Sequence, residues 1–457
     1  MHTATRHLGI DTLVVRLTTL LLLLAPCATP ARAQQPPIGF AYVLYFVQEP
    51  RQDLQAALRK QQSIEDGSLA LVDAFPDPVS RPVVHARVID DVAESVPPPS
   101  VEILQRMGKG ISKEQARDLQ SAARALALTF VHPAATAVAS LDRADRIVAD
   151  LAESAGAMVY DVESRYLYSS ARWREERLGA GTERAVNALR QIAVHSYKDG
   201  EHVRSVSVGM AKFGLPDLVI QEMTWGLNPR LGHIMVGIAQ RMIEGQQPTR
   251  EGQLELKLQE ILNPEVREYL TRDGFDNATR RATFKLVPAP PEEGDADNAL
   301  LAIDFGAFPG PDEFARQSAA SDAMFGWSDA VKRIDHDAEL LAASEKARAA
   351  LPSLRAEFAQ GLEPGAYIQV KLPFEVPTGG REWMWVEVHK WSGDHVEGML
   401  LNEPFDIPTL SSGQIVEGRT QDIFDYIRVW PDGRQEGNAT GLIIERMQGA
   451  TREGGGE

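Results

Sequence analysis

At 457 residues, the chain is long enough for two or three domains, and its single cysteine excludes an internal disulfide framework. Its formal charge of −17 repels phosphate backbones and anionic lipid, which excludes nucleic acid and favours a basic protein partner. The same acidity also serves the solubility of an exported protein.

The first 33 residues read as an export signal. Arg6 and Arg16 give a positive start, LTTLLLLLA at 17–25 gives the apolar run, and ARA at 31–33 gives a cleavage site after Ala33. A span of the bilayer needs about 20 apolar residues, so this run is too short for a stable anchor. The expected location is periplasmic or secreted, with no membrane span after cleavage. Cys27 leaves with the signal, and three arginines and one aspartate go with it. The mature chain then carries 44 basic and 63 acidic residues, a net charge of −19.

Residues 34–178 alternate strands and helices. FAYVLYFV at 40–47 reads as a buried strand, rich in aromatic and β-branched residues. Leu54 and Leu58 then fall at helical spacing, and LALVDAF and PVVHARVID read as further strands. Ser112 opens a helix with apolar residues at 116, 119, 123 and 126, and LDRADRIVADLAESAG forms another that Gly156 stops. AMVYDV closes the series as a strand. This order predicts an α+β fold whose N-terminal region is a mixed-sheet, ferredoxin-like α/β sandwich.

Residues 179–286 continue the α+β character, either as a second segment or as completion of the first domain. TERAVNALRQIAVHSY (182–197) reads as an amphipathic helix. HVRSVSVGMAKFGLPDLVIQEM reads as two strands joined through Gly214 and Pro216, and NPRLGHIMVGIAQRMIEG as a helix with Pro229 in its first turn. VPAPPEEGDADNA (287–299) has three prolines and four acids, the composition of an exposed linker.

The C-terminal region, 300–447, predicts a helix over 337–362 that Pro352 breaks or bends. Short strands follow at AYIQVKLPF, EWMWVEVHKW, HVEGMLLN, GQIVEGRT, DIFDYIRVW and GLIIERM, forming a small antiparallel sheet or barrel packed by the helix. Residues 448–457 read as a disordered tail.

Glu382, Met384, Trp385 and Val386, then Gly398, Leu400, Asn402 and Pro404, then Asp425 and Tyr426, follow one another on successive strands. This pattern, from about 338 to 447, resembles the YegJ-like bacterial domain of unknown function 2314. The resemblance implies a compact domain and no activity. GMAKFGLPDLVI (209–220) is similar to a phrase in other uncharacterised bacterial α+β proteins. Some of those have been proposed as immunity factors against secreted toxins.

No catalytic residue and no metal site stands out. H-E-x-x-H, a P-loop and G-x-G-x-x-G are absent, and GWSDA (326–330) has only half of a nucleophile elbow, so Ser328 reads as a helix cap. No cofactor is implied. His389, Asp394 and His395 are either ligands on one hairpin or flanks of its turn. Regular alternation puts Trp383, Trp385, Glu387, His389 and Trp391 on one strand face and Met384, Val386, Val388 and Lys390 on the other. The tryptophan face is a sugar- or peptide-binding strip, or else it is core beneath the preceding helix. Asn402 and Asp425 serve turns or share a pocket. The expected function is non-catalytic protein binding, in one form immunity-factor-like. The alternative is an envelope hydrolase using Asp, Glu and His within 383–425.

Overall fold

The apolar run at 40–47 becomes β1 (Ile38–Phe46), and its alternation decides how the first sheet is layered. Phe40, Tyr42, Leu44 and Phe46 pack with Leu141, Ile147, Val148 and Leu151 of the helix Ala137–Ala155. Val43 and Tyr45 point the other way, towards Leu104 and Leu119 of short helices on the opposite face. The computed structural model describes residues 36–50, 52–179, 186–199, 202–223, 227–272, 274, 277–326 and 338–443. Residues 1–33, read as an export signal, Ser328 and residues 448–457, read as a tail, lie outside the described residues.

The first sheet adds β2 (Ala70–Val72), β3 (Val83–Ile89), β4 (Gly108–Lys109), β5 (Arg124–His132), β6 (Met158–Asp161) and β7 (Leu167–Tyr168), in the order β2–β3–β5–β1–β6–β7–β4. It is mixed, as expected, because β2/β3 and β4/β7 are parallel. β1 is antiparallel to both of its neighbours, so the described strands lack the central parallel pair of a split βαβ sheet. β5 pairs with all of β1, but β6 pairs only with Tyr42–Tyr45, leaving one side of Ile38–Ala41 largely without a strand. Ser112 caps its helix with a full capping box, but that helix and its final turn end at Ser121. Leu126, read as part of its stripe, lies in β5, where pairing with β1 and β3 outweighs helical spacing. Gly156 ends the helix Ala137–Ala155 at φ 77°.

The second sheet contains β8 (Ala193–Asp199), β9 (His202–Val208), β10 (Asp217–Met223), β11 (Gln253–Lys257), β12 (Arg281–Ala289) and β13 (Leu300–Asp304), in the order β11–β12–β13–β10–β9–β8. The helix read over 182–197 is confined to Ala188–Gln191 among the described residues. AVHSY is β8 instead, because seven ladder pairs with β9 outweigh local helical spacing. Residues 287–299 do not separate two domains. Pro288 and Ala289 pair with Leu301 and Leu300, so 290–299 is the tip connecting β12 to β13. Prolines and acids suit an exposed hairpin tip as well as a linker. β13 and the helix Glu313–Phe325 therefore belong to the second sheet, whose helices cover one face only. The other face holds a small cluster of Val206, Val219 and Leu300.

The third sheet contains β14 (Tyr367–Glu375), β15 (Arg381–Ser392), β16 (His395–Leu400), β17 (Ile415–Arg419), β18 (Asp425–Val429) and β19 (Gln435–Gly437), in the order β17–β16–β15–β14–β18–β19. It is antiparallel and open, not a closed barrel. The helix Ala338–Ala359 crosses Pro352 without interruption, because Ala347, Leu351 and Leu354 on both sides of it pack into one core with Ile368 and Val386. Residues 439–443 are helical where a strand was expected. Among the described residues no helix is long and apolar enough to cross a membrane.

Sequence reading left open whether the second sheet merely extends the first. It is a separate sheet, locked to the first by buried charge. Lys212, in the turn before β10, reaches into the first sheet, where its Nζ donates to Asp161 Oδ2 at 2.8 Å. Arg177 Nη2 donates to the same oxygen at 2.5 Å, and all three side chains are fully buried. Gln191 accepts from Arg177 and from Lys212 and donates to Asp145 Oδ2 at 2.8 Å, and Tyr42 donates to Asp145 Oδ1 at 2.9 Å. Two acids face two bases, so the cluster is neutral. Burial would push the Asp161 carboxyl up, but Lys212 and Arg177 outweigh it and hold it at about 2. Phe213, next to Lys212, touches the cores of both sheets. Gly209 opens this turn at φ 110°, where a Cβ would sit 2.8 Å from the Gln191 carbonyl oxygen.

Removing one partner from such a cluster leaves an uncompensated buried charge. Lys212→Met should therefore cost about 3–5 kcal/mol in urea unfolding. Arg124→Met, which removes exposed pairs with Glu49 and Asp90, should cost no more than about 1 kcal/mol.

Candidate functional site

The tryptophan strip of β15 does not survive as one face. A bulge between Val388 and Lys390 shifts the register, so Trp391 turns towards Val386 and Val388 and is only 7% exposed. Its Nε1 donates to Thr420 Oγ1 at 2.9 Å, and Phe358 of the covering helix lies against it. Trp383, Trp385 and Glu387 keep the opposite face, which the helix does not cover, and all three are half-buried. Trp383 packs on Phe424 with ring centres 4.5 Å apart, and Lys371 Nζ stands 5.6 Å from the centre of the Trp385 ring. His389 is exposed and 3.6 Å from Glu387.

The polar residues of the same region hold backbone in place. Asn402 Oδ1 accepts from the Trp385 amide at 2.6 Å and so prolongs the β15–β16 ladder past its last backbone pair. Glu382 accepts from the amides of Phe405 and Asp406, and Glu403 from the amide and hydroxyl of Ser412. Asp425 is fully buried and accepts from the Thr440 amide at 2.8 Å and its hydroxyl at 2.7 Å. At Gly398 a Cβ would lie 2.1 Å from the Glu387 carbonyl oxygen, so only glycine lets the two strands pair there. Asn402 and Asp425 thus anchor two different turns. The hairpin does not gather His389, Asp394 and His395, because Asp394 accepts from the Gln421 amide and His389 faces Glu387. His395, Glu397 and Glu417 do approach one another within 4.8 Å on neighbouring strands, without a buried ligand among them.

A different site lies between the first two sheets. The helix-free part of the first sheet, including Gly39, Ala41, Ala127 and Thr129, faces β8, β9 and the turn at Phe213–Pro216 across a cleft of about 2190 Å³. Small residues keep the floor low, and Pro97, Pro98 and Pro99 form one rim. β8 ends the second sheet, so among the described residues no strand lies beside its outer edge. Four consecutive residues of that strand, Val194, His195, Ser196 and Tyr197, line the cleft. Alternate residues of a strand point to opposite faces, so an unbroken run means that the backbone edge itself borders the space.

The charged groups of the cleft are mostly committed. Arg204 is buried and grips Asp295 through two hydrogen bonds of 2.7 and 2.9 Å, folding the β12–β13 tip over the helix-free face. Arg165 donates to the Gly294 carbonyl, and His195 Nε2 sits 3.3 Å from the Ser164 carbonyl oxygen. Burial lowers the His195 imidazole to about 4, so it is neutral at physiological pH. Glu163, on the turn between β6 and β7, forms no ion pair among the described residues. Burial first, and then the nearby Asp161 and Asp217, raise its carboxyl to about 7, although Lys212 and the Ala41 amide oppose the shift. An unpaired acid in a cleft with such a shift is a functional-site candidate. Nothing in the sequence marks Glu163, which follows an ordinary strand and belongs to no motif; only the meeting of two sheets makes it distinctive.

No curated protein and no solved structure shows significant similarity to the chain. The helix Ala338–Ala359 and the third sheet are the exception to this isolation at the level of families. Residues 337–454 match the family described as an uncharacterized protein conserved in bacteria, domain of unknown function 2314, so the C-terminal part of the chain carries that domain.

Proposed function

We propose that this is an exported binding protein that captures an extended polypeptide segment by strand addition along β8, without chemistry on it. The observation that carries the reading is the unpaired edge of β8 running along a preformed, mainly apolar cleft. An added strand would satisfy that edge with main-chain hydrogen bonds and place alternate side chains against the small-residue floor. Glu163, with Glu293 and Asp297 at the mouth, favours a basic segment, in keeping with the acidic chain. An immunity factor holding a strand of a secreted toxin is one form of this role, supported by the likeness of residues 209–220. That stretch contributes Lys212 to the lock between the sheets and Phe213 to the cleft wall.

The reading is tested with an array of random decapeptides probed with the purified protein. The wild type should retain segments that alternate apolar residues and include lysine or arginine. Ala41→Trp and Thr129→Trp, which fill the cleft floor from two strands, should lose them while keeping the melting temperature within a few degrees. Absence of any such preference, or retention by both variants, would refute strand addition in this cleft.

Export rests on the charge, apolar run and A-x-A site of residues 1–33. N-terminal sequencing of the protein recovered from the cell envelope or medium should begin at Gln34. An intact Met1 on that material would contradict it.

A further inference from the structure

Glu163 lines the cleft and forms no ion pair among the described residues, and its surroundings indicate what would neutralise it. Glu163 is half-buried at the junction of the two sheets, beside the start of β1 and within the same cleft wall as β8. Lys212 acts on it from nearby but forms no ion pair with it, because its ammonium is held by Asp161 and Gln191. Arg165, two residues along, is spent on the Gly294 carbonyl. Asp217, the acid on β10, is itself occupied by Ser207, the Met210 amide and Asn298. A carboxylate left in this position is costly when ionised unless a cation joins it.

We infer that Glu163 is a specificity-determining residue that receives a lysine or arginine side chain of the bound segment. The inference rests on the strand-addition reading and adds the side-chain class that the cleft selects. A segment laid along β8 would direct every second side chain to one wall of the cleft, so a basic residue at one such position meets Glu163 while its apolar neighbours meet Ala41 and Ala127. An arriving ammonium or guanidinium would convert a group that is half-protonated near neutral pH into a fixed carboxylate.

Selectivity for the basic side chain should therefore rise with pH. The titratable groups that act on Glu163 are Tyr160 and Asp161 from its own hairpin and Lys212 and Asp217 from the second sheet; Arg165, Tyr166 and His195 line the same cleft. The Tyr160 and Tyr166 hydroxyls are pushed up by burial to about 12, and His195 is already neutral, so none of these three changes charge as pH rises above neutrality. Asp161 stays ionised beside Lys212 and Arg177. Asp217, raised by burial to about 6, gains negative charge at the lower end of the same range and works in the same direction.

The test uses the full-length secreted protein and two synthetic, end-blocked peptides of alternating valine and threonine. They differ only in a central lysine or its neutral isostere norleucine. At about pH 8 the wild type should bind the lysine peptide about tenfold more tightly, and at about pH 6 most of that preference should vanish. Glu163→Gln should bind the norleucine peptide within about twofold of the wild type, which also shows that it is folded, and should show no lysine preference at either pH. If Glu163→Gln keeps the preference, the assignment of Glu163 is overturned while strand addition stands. If neither peptide binds the wild type, strand addition falls and the assignment falls with it.

Discussion

One buried carboxylate holds the molecule's arrangement together. Asp161 ends β6 of the first sheet, and its Oδ2 takes hydrogen bonds from Arg177, in the helical segment after β7, and from Lys212, in the turn before β10 of the second sheet. Each of these groups would be intolerable in the interior alone, and together they are neutral. The network therefore specifies one way of docking the sheets rather than adding much net stability. Gln191 carries it on to Asp145 and Tyr42, so the lock reaches from the start of β8 to the middle of β1. The cleft follows from that geometry, because docking at one end holds two helix-free surfaces apart at the other. Glu163 is two residues from Asp161, and the same packing that keeps Asp161 ionised makes its neighbour reluctant to ionise.

The third sheet is attached by different means. Gln105 donates to the carbonyls of Leu362 and Glu363, the Gly365 amide donates to the Gln105 carbonyl, and Glu363 accepts from the Lys113 amide. These are mainly backbone contacts at the loop that leads into β14, far fewer than the apolar contacts within each core. The residues that signal the family at this end are used in construction. Glu382, Asn402 and Asp425 fix turns, and Gly398 permits strand pairing. A family signature made of such residues identifies an architecture and is silent about chemistry, which is why the site was found elsewhere in the chain.

Much of the fold was legible because local signals and tertiary structure agree. The capping box at Ser112, the stop at Gly156, the aromatic-rich β1 and the C-terminal strands β14 to β18 formed as read, whereas the described part of GLIIERM is helical. Reading failed where a non-local partner decided the outcome. β8 resembles the end of a helix until β9 pairs with it, and the acidic hairpin tip looks like a linker until Arg204 claims Asp295. A one-residue bulge, invisible to strict alternation, moved Trp391 from the proposed strip into the core. Within the site, the edge of β8 and the charge state of Glu163 depend on which elements meet across space, and neither leaves a trace in spacing or composition.

If the Asp161 network docks the sheets in one way, the first two sheets form a single cooperative unit with the cleft already formed. Native-state hydrogen exchange resolved by residue tests it directly, by comparing amides in the β1–β5 ladder with those in the β8–β9 ladder. The account predicts that in the wild type the most protected amides of both ladders open with the same free energy, and that in Lys212→Met the β8–β9 ladder opens at a lower one. Two ladders that open independently in the wild type, with protection unchanged by Lys212→Met, would contradict it.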